Sequence, residues 1–240
     1  MILLQTLIQL GFADVKHNMD ALTQHTSLDS GWVLDTVAGN APRAVEVFVA
    51  CHAALNVEAR QSVSTAEAML SDLFEMSTGN ALAPGALDRA LDSLGANPDR
   101  DMDEPDASGL DKALYPAPLR DIMDRSAPNV WKTRFGGYSE ILLEDLCEPG
   151  VTARLLSIPK GRGAPEHDHG AEEGTLVLAG SFQDGFGRYE RGDACMVGSG
   201  TVHHPVVDSE EPCICLAVEL GALKPTNPIY SLLQTVIGKR

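Results

Sequence analysis

Between residues 161 and 180 the chain carries Gly161, His167, His169, Glu173 and Gly180, which reads G-x5-H-x-H-x3-E-x6-G. A second run follows, Gly192 and then Gly200-Thr201-Val202-His203. Few features constrain a fold as tightly, because the chain must bring three imidazoles and a carboxylate together. Imidazole nitrogen and carboxylate oxygen bind divalent first-row metals, and three His with one Glu leave positions open for water or a ligand. His167 and His169 are two apart, so on a strand they share a face. Glu173 comes back to that face once the chain has turned after Gly170. Gly161 and Gly163 mark a turn before this strand, and Gly180 a turn after the next. A lone histidine is more often an ordinary surface or core residue. Four donors at this spacing, with glycines at the turns, point instead to a metal site of His167, His169, Glu173 and His203. His204 competes for the last place, and neighbouring strand residues face opposite sides, so at most one of the two reaches an ion.

The surrounding texture is that of strands. From Val130 the candidates are Val130–Arg134, Ser139–Asp145, Val151–Ile158, Pro165–His169, Gly174–Leu178, Ser181–Arg188, Asp193–Val197, Val202–Val207 and Pro212–Leu220. Gly, Pro and Asp clusters separate them at short intervals, the pattern of an all-β sandwich or barrel. The first ~95 residues read as helical. Trp32 to Val37 stops at Gly39, and Asn40 can cap a helix from Ala41 to about Gln61 with Pro42 in its first turn. Val45, Phe48, Val49, His52 and Leu55 line its apolar side. Ser64 with Glu67 makes a capping-box pattern, opening a further helix through Leu70, Leu73 and Phe74. Another helix is expected near Ala86 to Leu94. Residues 97–128 are acidic and rich in proline, which predicts a linker with a short helix near Leu119 to Met123.

At 240 residues with a formal net charge of -16, the chain has room for a large core and lacks the basic footprint that phosphate binding needs. Direct nucleic-acid binding is excluded on that ground, and a basic protein partner suits the charge better. Five Cys (51, 147, 195, 213, 215) occur without a C-x2-C pair, which predicts reduced thiols and a cytoplasmic location. The apolar run from Ile2 to Phe12 is too short to span a bilayer, so no membrane role is expected. Cys213 and Cys215 share a strand face and read as two small core residues. Glu166, Asp168 and Glu172 alternate with the ligands and are expected to face away from the metal, while Arg154 and Tyr189 are candidates to line the interior.

The two motifs resemble those of the cupin superfamily, small β-barrels that hold a metal inside. Gly198 stands where that family usually has Pro, and Val207 where it often has Asn. The whole chain resembles the ChrR-like anti-sigma factors, most closely at Val130-Trp131-Lys132-Thr133, Pro165 through Val177, and Cys213-Ile214-Cys215-Leu216-Ala217, and more weakly at Ala38-Gly39 and Cys51-His52-Ala53-Ala54-Leu55. The resemblance implies an α+β multidomain chain: an N-terminal helical bundle (1–96), the linker (97–128) and a C-terminal cupin β-barrel, or double-stranded β-helix (129–240). It implies an anti-sigma factor that sequesters an ECF-type sigma factor through its helices, with the cupin as sensor of singlet oxygen or a related oxidant. Zinc is the expected ion, with Fe, Mn or Ni as alternatives. A homodimer is left open. The family's helical domain usually binds a second zinc through an earlier His and H-x3-C-x2-C; here His52 fits the His, but Asn56 and Ala59 replace the thiols. No N-terminal zinc is therefore expected, although His25 and Cys51 are nearby. The alternative function is a cupin metalloenzyme, a dioxygenase or isomerase acting on a small molecule.

Overall fold

The computed structural model describes residues 30–76, 83–94, 112–124, 129–134, 137–163, 167–168 and 172–221. The apolar run at Ile2–Phe12, His25 and most of the acidic linker lie outside the described residues.

Helix α1 (Ser30–Val37) stops just before Gly39, whose φ of 72° only glycine adopts without strain. Helix α2 (Arg43–Leu55) starts behind Pro42, and α3 (Val57–Met76) follows after Asn56 alone. The helix expected to run to Gln61 thus ends six residues early, and the expected start at Ser64 falls inside α3. Asn56 is the reason. Its backbone is extended, and its Oδ1 accepts the N–H groups of Glu58 at 2.9 Å and Ala59 at 3.1 Å. That is N-cap chemistry, and it gives two orphan donors of α3 a partner. Helix α4 (Ala86–Leu94) comes next. Helix α5 (Ala117–Met123), after a 3₁₀ turn at Lys112–Leu114, buries Leu119, Ile122 and Met123. The end of the 97–128 segment is therefore packed into the molecule.

The strands are β1 (Lys132–Thr133), β2 (Ser139–Leu142), β3 (Val151–Ile158), β4 (His167–Asp168), β5 (Glu173–Ala179), β6 (Ser181–Gln183), β7 (Arg188–Glu190), β8 (Ala194–Val197), β9 (Val202–His203), β10 (Val206–Val207) and β11 (Cys213–Leu220). They form a six-stranded sheet in the order β1-β2-β3-β11-β5-β8, a three-stranded sheet β10-β6-β7 and the pair β4-β9, with every pairing antiparallel. This is a cupin-like β-sandwich. Among the described residues its ladders fall in three sheets, which do not show the closed barrel expected from sequence. Two of the longer expected strands are each divided by a turn. The Ser181–Arg188 run bends at 184–187, and the 202–207 run breaks at His204-Pro205.

Period-two alternation gives the large sheet two working faces. Leu176, Leu178, Ala194, Met196, Leu216 and Val218 point outward and share one core with Trp32, Val33, Phe48, Leu119 and Met123. Val177, Cys195, Val197, Cys213 and Cys215 point inward and form a second core with Phe182, Tyr189 and Val207. Helices α1, α2 and α5 thus cover the outer face as a layer that shares its core with the sheet, and the N-terminal bundle expected from sequence is not confirmed.

Gly174 makes the close approach. A Cβ there would lie 2.8 Å and 2.9 Å from two atoms of the Trp32 ring and 3.0 Å from Phe48. The two aromatic rings meet edge to face, with centroids 5.2 Å apart. Polar contacts close the seam: Trp32 Nε1 donates to Glu172 Oε2 at 2.8 Å, Asn56 Nδ2 to the Gly192 carbonyl at 3.3 Å, and Arg191 to the Leu114 carbonyl at 3.0 Å. His52 is sealed in beside them, and neither ring nitrogen has a hydrogen-bond partner. Among the described residues no helix is long and apolar enough to cross a membrane.

Two expectations follow. Gly174→Ala should cost about 1–3 kcal/mol through overpacking of the seam, read as a lower melting temperature. His52 should make the fold acid-sensitive, because burial lowers its pKa from 6.5 to about 4 against the opposing pull of Asp193. Between those values the unfolded chain binds a proton that the native protein does not, so stability falls as pH drops from ~6.5 towards ~4 and then levels off with respect to this group. The shift corresponds to a loss of about 3 kcal/mol, and denaturant titrations of the parent and His52→Leu across that range should show a flatter profile in the variant.

Candidate metal centre

Strand β5 opens at the motif carboxylate. Glu172, Glu173 and Gly174 alternate in direction: Glu172 bonds to Trp32, Gly174 seats the aromatic pair, and Glu173 lies on the inner face between them. Thr175, next on that face, donates its hydroxyl to Glu173 Oε1 at 3.0 Å. Glu172 thus points away from the interior, as the alternation predicts.

The backbone register sets His167 directly opposite His203 in the β4-β9 pair. His169 lies outside the described residues, and of His167 only the backbone is described. His203 is buried at 7% exposure, whereas its neighbour His204 is exposed. The alternation that separates them is enforced by this strand pairing and by Pro205, which follows them.

Two further residues join His203. Asp184 sits in the tight turn between β6 and β7, and Cys195 stands on β8, opposite Thr175. His203 Nδ1 lies 3.1 Å from Asp184 Oδ2, and Cys195 Sγ lies 3.8 Å from the same oxygen. The donor atoms of Asp184, Cys195 and His203 all fall within 4.8 Å of one another, the one such His, Cys, Asp or Glu group of three or more among the described residues. The turn holds Asp184 firmly, since its Oδ1 accepts the backbone N–H groups of Phe186 at 2.8 Å and Gly187 at 3.0 Å. Burial alone would raise its pKa, but the bonds from His203 and from these two N–H groups outweigh burial and hold it below the ordinary carboxylate value.

The rest of the interior is mostly apolar. Tyr189 is fully buried, stacked on Phe182 at 4.9 Å, and its hydroxyl has no hydrogen-bond partner. Arg154 pairs with Glu219 at 3.3 Å and Glu140 at 3.6 Å. Cys213 and Cys215 are fully or almost fully buried thiols with sulfurs 3.4 Å apart, not joined as a disulfide. The Cys215 thiol is pushed up by the Cys213 sulfur and by burial, and Cys195 is pushed up by burial and by the charge of Asp184. Neither has the character of an activated thiolate.

Imidazole nitrogen and carboxylate oxygen are donors that divalent ions take, and the β4-β9 register places His167 across the ladder from His203; Glu173 shares the inner face but is not among the donor atoms gathered around His203. Sequence spacing named Glu173 and His203 as candidates and did not name Asp184 or Cys195, which the structure gathers with His203. Neither belongs to a spaced motif, and only Asp184-Gly185, a turn dipeptide, carried a local signal.

Residues 121–224 match a family described as the ChrR Cupin-like domain. The chain is 33% identical over 198 residues to the anti-sigma-E factor ChrR of Cereibacter sphaeroides, covering 82% of this chain and 90% of that protein. The crystal structure of Rhodobacter sphaeroides SigE in complex with the anti-sigma ChrR superposes with a TM-score of 0.63 at 31% identity, covering 81% of this chain and 98% of the matched one.

The interior should tolerate loss of the exposed imidazole but not of the buried one. His203→Ala removes the partner of a buried carboxylate and should destabilise the fold by about 1–3 kcal/mol, whereas His204→Ala should stay within about 0.5 kcal/mol of the parent in chemical denaturation.

Proposed function

This chain belongs to the ChrR anti-sigma factor family, and we propose that it sequesters an ECF-type sigma factor through its helical layer while the cupin-like domain senses an oxidant or ligand through a bound divalent metal. The observation that carries this reading is the match over most of both chains to a protein solved in complex with a sigma factor.

The surface supports it. The second half of α3 exposes Met69, Leu73 and Phe74 at 61%, 63% and 67%, and α4 exposes Leu87 and Leu91 one turn apart. Large apolar side chains gathered on helices suit a partner's apolar surface. Phe48, by contrast, is buried against Gly174 and serves the seam. The net charge of -16 complements a basic, helical partner and disfavours direct contact with nucleic acid.

In the cupin-like domain, His167, His169, Glu173 and His203 hold the ion in this reading, with zinc the first choice. The helical layer needs no zinc of its own, because Asn56 and Ala59 stand at the thiol positions and Asn56 supplies a helix cap and a bond to Gly192 instead. The site acts as the sensor, the chain works in the cytoplasm, and the segment 97–128 tethers the N-terminal helices to the β domain, with α5 at its end packed into the shared core.

Two measurements test this. Leu73→Asp with Phe74→Asp should leave the melting temperature near the parent value and abolish co-purification with a co-expressed ECF-type sigma factor. Retained binding would move the contact surface elsewhere, and absence of binding by the parent would sink the anti-sigma reading in favour of a metalloenzyme. His167→Ala should leave basal inhibition of a sigma-dependent promoter intact and blunt its release by singlet oxygen, and a normal response would remove the metal site as sensor.

A further inference from the structure

Asp184 is an ionic group placed where the second core of the β domain would otherwise be apolar. Its side chain is 0% exposed, and that of His203 is 4% exposed. A buried carboxylate persists only when its lone pairs are used. Here both oxygens are engaged. Oδ1 takes the N–H groups of Phe186 and Gly187, and Oδ2 faces His203 Nδ1 at 3.1 Å. Phe186 and Gly187 lie in the same tight turn, where Asp184 N also donates to the Gly187 carbonyl at 2.9 Å. The carboxylate therefore has a fixed direction, set by the backbone rather than by a rotamer.

An acceptor-only group against one imidazole nitrogen decides the tautomer. The contact is a hydrogen bond only with the proton on Nδ1, the tautomer that leaves Nε2 for a ligand. Oδ1 is taken by two backbone donors and Oδ2 is shared by His203 and the Cys195 thiol, so Asp184 could ligate an ion only by giving up one of these partners. We propose that Asp184 is the positioning carboxylate of the metal centre, holding His203 as the Nδ1–H tautomer so that Nε2 is presented to the ion. Carboxylate–histidine–metal chains of this kind orient the ligand and raise its basicity, and losing the outer group typically costs 10–100-fold in metal affinity. The inference rests on the reading of His203 as a ligand. The Cys195 thiol, 3.8 Å from the same oxygen, is the other polar side chain on this carboxylate.

The test uses the full-length protein, zinc and a chromophoric chelator as competitor. Asp184→Asn keeps the shape of the side chain and removes its charge. The variant should still bind one zinc per chain, about 10–100-fold more weakly than the parent. A second readout needs no variant: long-range proton–nitrogen NMR spectra of the metal-free parent at neutral pH should show His203 protonated on Nδ1, and Asp184→Asn should shift it towards Nε2–H. Equal zinc affinities of parent and variant, or an Nε2–H tautomer in the parent, overturn the role of Asp184 and leave the metal reading standing. A parent protein that takes up no zinc overturns the metal reading itself, and this inference with it.

Discussion

The packing of Trp32 and Phe48 onto Gly174 is the contact on which the rest of the structure depends. It sets helices directly against the sheet that carries the motif carboxylate, and it needs a residue without a Cβ at that one position. Around it the outer face of the sheet and the helices α1, α2 and α5 form a single apolar core. Burial of large aromatic side chains is worth several kcal/mol each, more than the polar contacts along the seam supply. Those polar contacts fix orientation instead: Glu172 aims Trp32, Asn56 reaches the Gly192 carbonyl, and Arg191 reaches Leu114.

Asn56 shows how one polar position can both start a helix and tie it to the β domain. Its side-chain oxygen closes two donors at the start of α3, and its amide crosses to the β domain. A thiolate at this position could do neither as well, because sulfur is a weak hydrogen-bond acceptor. The buried and unpartnered His52 one turn earlier has no such compensation. The seam therefore gains order from one polar residue and acid sensitivity from the other.

The parts of the molecule with a strong local pattern were legible in the sequence. Residues 213–220 are a near-continuous apolar run of strand length and fold as β11, and Gly39 ends α1 because only glycine takes its φ without strain. Glu173 and His203 come to the inner side of the β domain because their spacing is tied to strand alternation and to glycine turns. What the sequence could not show depends on tertiary contact. The break at Asn56 competes with a local signal at Ser64, and the contact with Gly192 adds to the cap that favours the former. The shared core was hidden because the outward residues of β5 and β11 read as ordinary strand residues until a partner layer is known. Asp184 and Cys195 meet His203 through three different strand pairings, a relation with no fixed spacing.

The tripeptide Glu172-Glu173-Gly174 has a mechanical consequence. Its outer two members belong to the helical seam and its middle one to the interior of the β domain. Successive residues of an extended strand have no slack between them, since each rises about 3.3 Å and points opposite to the last. The two compartments thus meet across a lever one residue thick, with its fulcrum in the hydrogen bonds between β5 and β11. Any displacement of the middle residue is transmitted to both of its neighbours over less than 4 Å of backbone, the shortest route a covalent chain offers between two cores.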